Sequence, residues 1–159
     1  MINHERQLPL FPLNTVLFPS ASLPLQIFEE RYKLMLQDCQ GTDSKFGVVL
    51  IRSGTEVGKP ATPYYTGTVA QIIQMTEVDR GRMFISVIGQ QRFQIKNITQ
   101  YHPYIEADVA LLENDTRAQA PQAKLRSIHE ATTQYIRLVM GLRGGWVNDS
   151  KGPADPETL

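Results

Sequence analysis

Three histidines, one cysteine and a scatter of carboxylates are the residues of this sequence that could move protons or attack a bond. A side-chain nucleophile needs a base within hydrogen-bond reach. His4 lies in the leading tail, His102 in a turn before Pro103 and His129 in mid-helix, so no spacing joins them to each other or to Cys39. No serine stands in a G-x-S-x-G turn. Cys39 falls on the apolar stripe of a predicted helix, where a free cysteine behaves as a small core hydrophobe. Glu29 and Glu30 are neighbours, point to different sides and cannot form an acid–base pair. No His/Cys spacing suits zinc, and Gly58-Lys59-Pro60 is far from a phosphate-cradling loop. These residue types predict a protein that is not an enzyme and needs no cofactor or metal.

Charge narrows the partners. Lys plus Arg and Asp plus Glu both number 16 in 159 residues, so the formal net charge is zero. Long-range attraction to nucleic acid or an anionic membrane needs clustered positive charge. Arg80, Arg82, Arg92 and Lys96 do fall near one hairpin, but Phe84 and Phe93 between them are expected in the core, which leaves no exposed aromatics for bases to stack on. One cysteine cannot form an internal disulfide, so a reducing, cytoplasmic setting is expected. No window approaches the roughly 18 apolar residues of a membrane span, and MINHERQLP lacks the apolar run of a secretory signal.

The elements that position these residues are mainly strands. The opening stretch LPLFPLNTVLFPSASLPLQIFEERY is too apolar for a loop, yet carries Pro9, Pro12, Pro19 and Pro24. Proline lacks an N–H and fixes φ, so it suits sheet edges, strand starts and turns. Leu8–Leu13 and Leu23–Ile27 are therefore predicted as short strands with a turn at Phe18-Pro19. Phe28, Tyr32, Met35 and Cys39 then follow helical spacing, with Glu29 and Glu30 in the first turn and Gly41 as the stop. Phe46–Ile51 is an apolar strand, residues 53–63 a loop, and Thr66–Val78 a second strand on which Val69, Ile73 and Met75 share one parity. After a turn at 79–81, Met83–Ile88 returns as the partner strand. Gly89 marks a bend or bulge, Arg92–Ile98 continues extended, and Tyr104–Leu112 alternates as a last strand. Beyond a polar joint at 113–116, Pro121 is placed for helix position N1 of a long amphipathic helix over 121–143, ended by Gly144-Gly145. A polar tail with Trp146 follows. The class is α+β, mainly β, in two parts: 1–113, and a helical part with its tail, 117–159.

The opening stretch carries a resemblance. Leu8-Pro-Leu-Phe-Pro-Leu13, Val16-Leu-Phe-Pro19, Leu23-Pro-Leu25, Ile27-Phe-Glu29 and Arg31-Tyr32 resemble the start of the N-terminal, substrate-binding domain of Lon proteases. Phe46–Ile51, Gly67-Thr68, Gly81-Arg82, Gly89, Arg92-Phe93 and Pro103-Tyr104 follow in the same order. The resemblance implies a PUA-like pseudo-barrel of about six strands with a short helix, then a helical subdomain. Ser20 stands where the family often has glycine, and Gln26 where histidine is common. Neither a Walker motif nor a Ser–Lys catalytic region is visible, so the reading is a stand-alone Lon-domain protein without ATPase or peptidase domains.

The resemblance implies a non-catalytic module that binds unfolded or exposed polypeptide, with a separate protease or a second copy of the chain as further candidate partners. Such a site needs an apolar groove or an open strand edge. Phe11 near a proline-limited strand edge, Tyr64 and Tyr65 in the long loop, and Met75 and Met83 beside the hairpin are its candidate contacts. An alternative is an assembly module that pairs through Leu125, Ile128, Tyr135, Val139 and Leu142 of the long helix. A minor alternative, by analogy to other PUA-like domains, is RNA binding.

Overall fold

The computed structural model describes residues 5–78, 81–113 and 121–142. His4, Arg80, the joint at 114–116, the Gly144-Gly145 stop and the tail with Trp146 lie outside the described residues. The order is β1 (Glu5–Leu13), β2 (Ser22–Ile27), α1 (Glu30–Gln40), β3 (Lys45–Ser53), β4 (Thr62–Val78), β5 (Arg82–Gln100), β6 (Ile105–Leu111) and α2 (Gln122–Leu142). The chain divides into two compact units, Met1–Glu113 and Asn114–Leu159.

In the first unit the strands run β2-β5-β4-β3-β1-β6, and a further β5–β6 pairing closes β5, β4, β3, β1 and β6 into a ring. β5 makes this closure possible by its length. Its first part pairs with β2, while Phe93–Gln100 pairs with β6. The result is the expected six-stranded pseudo-barrel with one short helix.

The prolines fit for a reason that differs from the expectation. β1 is not an edge strand but lies between β3 and β6. It changes partner midway: Glu5–Leu10 pairs antiparallel with β6, and Leu10–Leu13 pairs parallel with β3. Each proline-bearing half thus has one strand neighbour, leaving a side where a missing N–H breaks no ladder. β2, which contains Pro24, pairs only with β5 among the described residues. It is the true open edge.

Two cores result from strand alternation. Leu8, Leu10, Val49, Val69, Phe93, Ile95, Ala107 and Val109 fill the ring. Phe11, Ile27, Tyr32, Met35, Leu36, Cys39, Phe46, Ala70, Ile85 and Val87 form the second core, under α1. Gly47 and Gly67 make room for the Phe93 ring, since a Cβ on either would sit 2.6 and 2.5 Å from its Cζ.

Several boundaries shift. Phe28 is not on the helix stripe: Glu29 is extended (φ −77°, ψ 134°), α1 starts at Glu30, and Phe28 is 50% exposed. Tyr64 and Tyr65 are not in a loop but in β4, which begins at Thr62 because Pro63 sits near its start, where proline is tolerated. Ile73 is the extra residue of a bulge, since Ile72 pairs with Val87 and Gln74 with Ser86. The bulge reverses parity, so Met75 joins Ala70 and Ile72 under α1 instead of sharing a face with Ile73. Phe84 lies outside the core at 45% exposure, while Phe93 is buried as expected. Met83–Ile88 and Arg92–Ile98 are one strand, with a second irregularity opposite Thr68–Ala70 that includes Gly89. Ser20 adopts φ 65°, the left-handed conformation that favours glycine. Pro121 stands one position earlier than expected, its carbonyl accepting from Lys124 and Leu125.

α2 forms as predicted, and none of its side chains is buried. Leu125, His129, Thr132, Ile136 and Val139 are its less exposed side, whereas Ile128, Tyr135, Leu138 and Leu142 are exposed. The candidate stripe therefore splits between two sides of the helix. No helix among the described residues is long and apolar enough to cross a membrane.

Candidate functional site

Two grooves mark the first unit, and their chemistry separates them. The larger, about 490 Å³, is lined by Arg6, Gln7, Leu8, Pro9, Asp38, Cys39, Thr42, Asp43, Lys45, Tyr104 and Glu106. Several of its polar groups pair with one another. Arg6 and Asp43 pair at 2.7 Å, Lys45 lies 3.9 Å from Asp43, and the Tyr104 hydroxyl donates to Asp38 Oδ2 at 2.7 Å. The Cys39 thiol donates to the Lys45 carbonyl at 3.2 Å.

Burial, helped by the charges of Asp43, Asp38 and Glu106, pushes the Cys39 thiol up to about 12. Burial and then the Asp38 hydrogen bond raise the Tyr104 hydroxyl as well. Among the described residues no histidine lines either groove. Burial keeps the thiol protonated, as a core group. Burial and this raised thiol predict alkylation of the native protein at pH 8 orders of magnitude slower than of the unfolded chain. Timed iodoacetamide labelling followed by mass spectrometry checks this; similar rates in both states would contradict the assignment.

The smaller groove, about 190 Å³, is apolar. Phe11, Leu13, Leu25, Ile27, Tyr32 and Val57 line it with Pro24, Gln26, Phe28, Glu29 and Glu56. At ~30 Å³ per water it holds about six waters, the space of one large side chain. Its position gives it a wider reach, because it runs along Pro24–Phe28, beside the open edge of β2. Phe11 forms part of the wall, buried and edge-on to Tyr32 at 4.2 Å and to Phe46 at 6.0 Å. Phe28 and Val57 are 50% and 53% exposed.

The loop between β3 and β4 is strapped across this groove. The Gly58 N–H donates to Glu29 Oε2 at 3.2 Å, and the Asn14 N–H donates to Glu56 Oε1. Arg31 pairs with Glu29 at 3.1 Å, donates to the Glu56 carbonyl at 3.4 Å and lies over the Tyr32 ring at 4.5 Å. Both charged side chains are mostly buried, which favours the pair being held in one geometry. Burial pushes the Tyr32 hydroxyl up to about 12, so it stays neutral.

Of the candidate contacts taken from sequence, only Phe11 lines this groove. Tyr64 and Tyr65 are exposed on β4, and neither lines a groove described here. Met75 and Met83 are half-buried against the core under α1. Leu25, Phe28, Glu56 and Val57 also line the groove and were not singled out from sequence. Pro24 was the available signal, because a proline inside an apolar strand marks an edge and a groove beside that edge is accessible.

Comparison with known proteins agrees with this architecture. Residues 7–152 match the family described as the ATP-dependent protease La (LON) substrate-binding domain. Lon protease 2 of Myxococcus xanthus is 31% identical over 134 residues, covering 81% of this chain and 16% of that protein. Lon protease of Parabacteroides distasonis is 28% identical over 83% of this chain and 17% of its own length. The chain thus spans about a sixth of the curated relatives it matches. The crystal structure of a Lon N-terminal domain protein from Xanthomonas campestris superposes with TM-score 0.62 and 29% identity, over 79% of this chain and 72% of that one. The N-terminal domain of Mycobacterium avium complex Lon protease, at 14% identity and TM-score 0.60, shares the fold over 87% and 70% of the two chains. The chain belongs to the Lon substrate-binding domain family.

Proposed function

We propose that this chain is a non-catalytic module that binds exposed or unfolded polypeptide segments, and that the groove beside β2 is where it holds them. One observation carries the reading: the apolar groove adjoins a strand that, among the described residues, has one ladder partner. An extended segment laid there gains main-chain hydrogen bonds whatever its sequence, and the groove takes one apolar side chain. Pro24 cannot donate, so the edge favours short, weak additions and resists runaway pairing between copies. Membership in a substrate-binding family supports the same reading.

Titration of the full chain with a fluorescently labelled, reduced and carboxymethylated protein tests the binding. Saturation at roughly tens of micromolar is expected, the weak range for a small polar-rimmed contact. Phe28→Ala is expected to weaken it about five- to tenfold, as loss of an exposed aromatic contact typically costs ~1 kcal/mol or more. Tyr65→Ala, on β4, should change it less than about twofold by the same measure. Absence of saturable binding overturns the reading.

The exposure of Tyr135, Leu138 and Leu142 on α2 favours a second role in assembly. Sedimentation velocity of the chain decides it, with a concentration-dependent shift expected for self-association and a strict monomer against it.

A further inference from the structure

The groove beside β2 has an uneven charge, and this selects among polypeptides. Among its lining residues the ionisable groups are Glu29, Glu56 and Tyr32. The Glu29 carboxylate is occupied on both oxygens, by Arg31 and by the Gly58 N–H. Its charge and that of Arg31 offset each other at 3.1 Å. Glu56 differs. Its Oε1 accepts from the Asn14 N–H, and no partner for its Oε2 is seen among the described residues. Its side chain is half-buried, which weakens screening by water. An apolar groove with one uncompensated carboxylate complements a segment with apolar side chains and one cation.

We propose that the groove prefers extended apolar segments carrying a single lysine or arginine, whose charge the free oxygen of Glu56 accepts, making Glu56 a specificity-determining residue. This rests on the polypeptide-binding reading. An acidic segment at the same place meets Glu56 as a like charge and leaves it desolvated, so discrimination comes from repulsion as well as attraction.

Three fluorescein-labelled peptides test the proposal, each an alternation of valine and serine ended by phenylalanine, with lysine, norleucine or glutamate at the centre. Anisotropy titrations of the full chain should give affinities in the order lysine, norleucine, glutamate. The lysine peptide should bind about five- to tenfold tighter than norleucine, the range of a partly buried charge-assisted hydrogen bond. That ratio should fall in high salt. Glu56→Gln keeps an oxygen for the Asn14 N–H and should bring the lysine-to-norleucine ratio to about one. Glu56→Lys should reverse the order so that glutamate binds tightest, which keeps the test decisive should one variant misfold. Saturable but equal binding of all three peptides by the native chain overturns the role of Glu56 and leaves the groove standing. No saturable binding of any peptide overturns the groove reading as well.

Discussion

Gly67→Ala is expected to cost about 3 kcal/mol or more and to lower the melting temperature by about 10 °C. A Cβ at this position would lie 2.5 Å from Phe93 Cζ, 2.5 Å from the Val48 carbonyl oxygen and 2.6 Å from Val49 Cγ1. Two of these obstacles are side chains, but the third is the backbone of β3, to which β4 is tied by the Val48–Thr68 and Val49–Gly67 pairs. The ring of strands cannot widen at one point without breaking ladder bonds elsewhere, so the strain is not relieved locally. Gly47 provides the contrast. Its Cβ would meet Phe93 at 2.6 and 2.8 Å and Leu10 Cδ2 at 2.8 Å, all side-chain atoms. Gly47→Ala should therefore be substantially rescued by Phe93→Leu, with coupling of about 1–2 kcal/mol, whereas Gly67→Ala should be rescued much less. Urea denaturation of the two double-mutant cycles checks this, and equal rescue at both positions would contradict the packing described for the ring.

Arg31→Ala is expected to cost about 2–3 kcal/mol, below the ~3–5 kcal/mol of a fully buried ion pair because 15% and 19% of the two side chains remain exposed. Three losses coincide. The Glu29 carboxylate loses its cation, the Glu56 carbonyl loses the Arg31 donor, and the Tyr32 ring loses the cation above it. Among the described residues Arg31 Nε is buried with no hydrogen-bond partner. All of these polar contacts come from one nitrogen, Nη2, so a lysine ammonium can replace part of them but not the guanidinium over the Tyr32 ring, and Arg31→Lys should recover about half of the loss. The variant should also release the strap over the groove, because Glu29 is then free to rotate away from Gly58. Faster amide exchange at Gly58, with a lower urea midpoint, checks both. An unchanged midpoint with unchanged Gly58 exchange would mean that Arg31 holds nothing in place.

What the sequence disclosed, and what it hid, follows from the range of the forces involved. Proline-rich apolar segments, the helical spacing from Tyr32 to Cys39 and the alternation from Ile105 to Leu111 are local patterns, and each produced its element. Bulges are set by the partner strand, so the parity reversal at Ile73 was invisible and placed Met75 on the wrong face. β1 looked like an edge because of Pro9 and Pro12, and only pairing shows that it changes partner at Leu10. Tyr64 and Tyr65 looked like loop contacts because Pro63 and the glycines before it read as a break. The groove joins Phe11, the stretch from Leu25 to Phe28, and Val57, three parts of the chain far apart in sequence. No spacing rule brings them together. The strap was half visible: Glu29 and Arg31 stood out in the motif, but Glu56 and Gly58 are their partners only in space.

The central claim is that polypeptide is held at the β2 edge, and amide chemical-shift mapping tests it most directly. In a ¹⁵N-labelled sample of the full chain titrated with the carboxymethylated polypeptide, the largest shifts are predicted at the amides of Ser22, Leu23 and residues 25–28, and at Val57. Shifts confined to Tyr64 and Tyr65 or to α2, with β2 unmoved at saturation, would contradict the account.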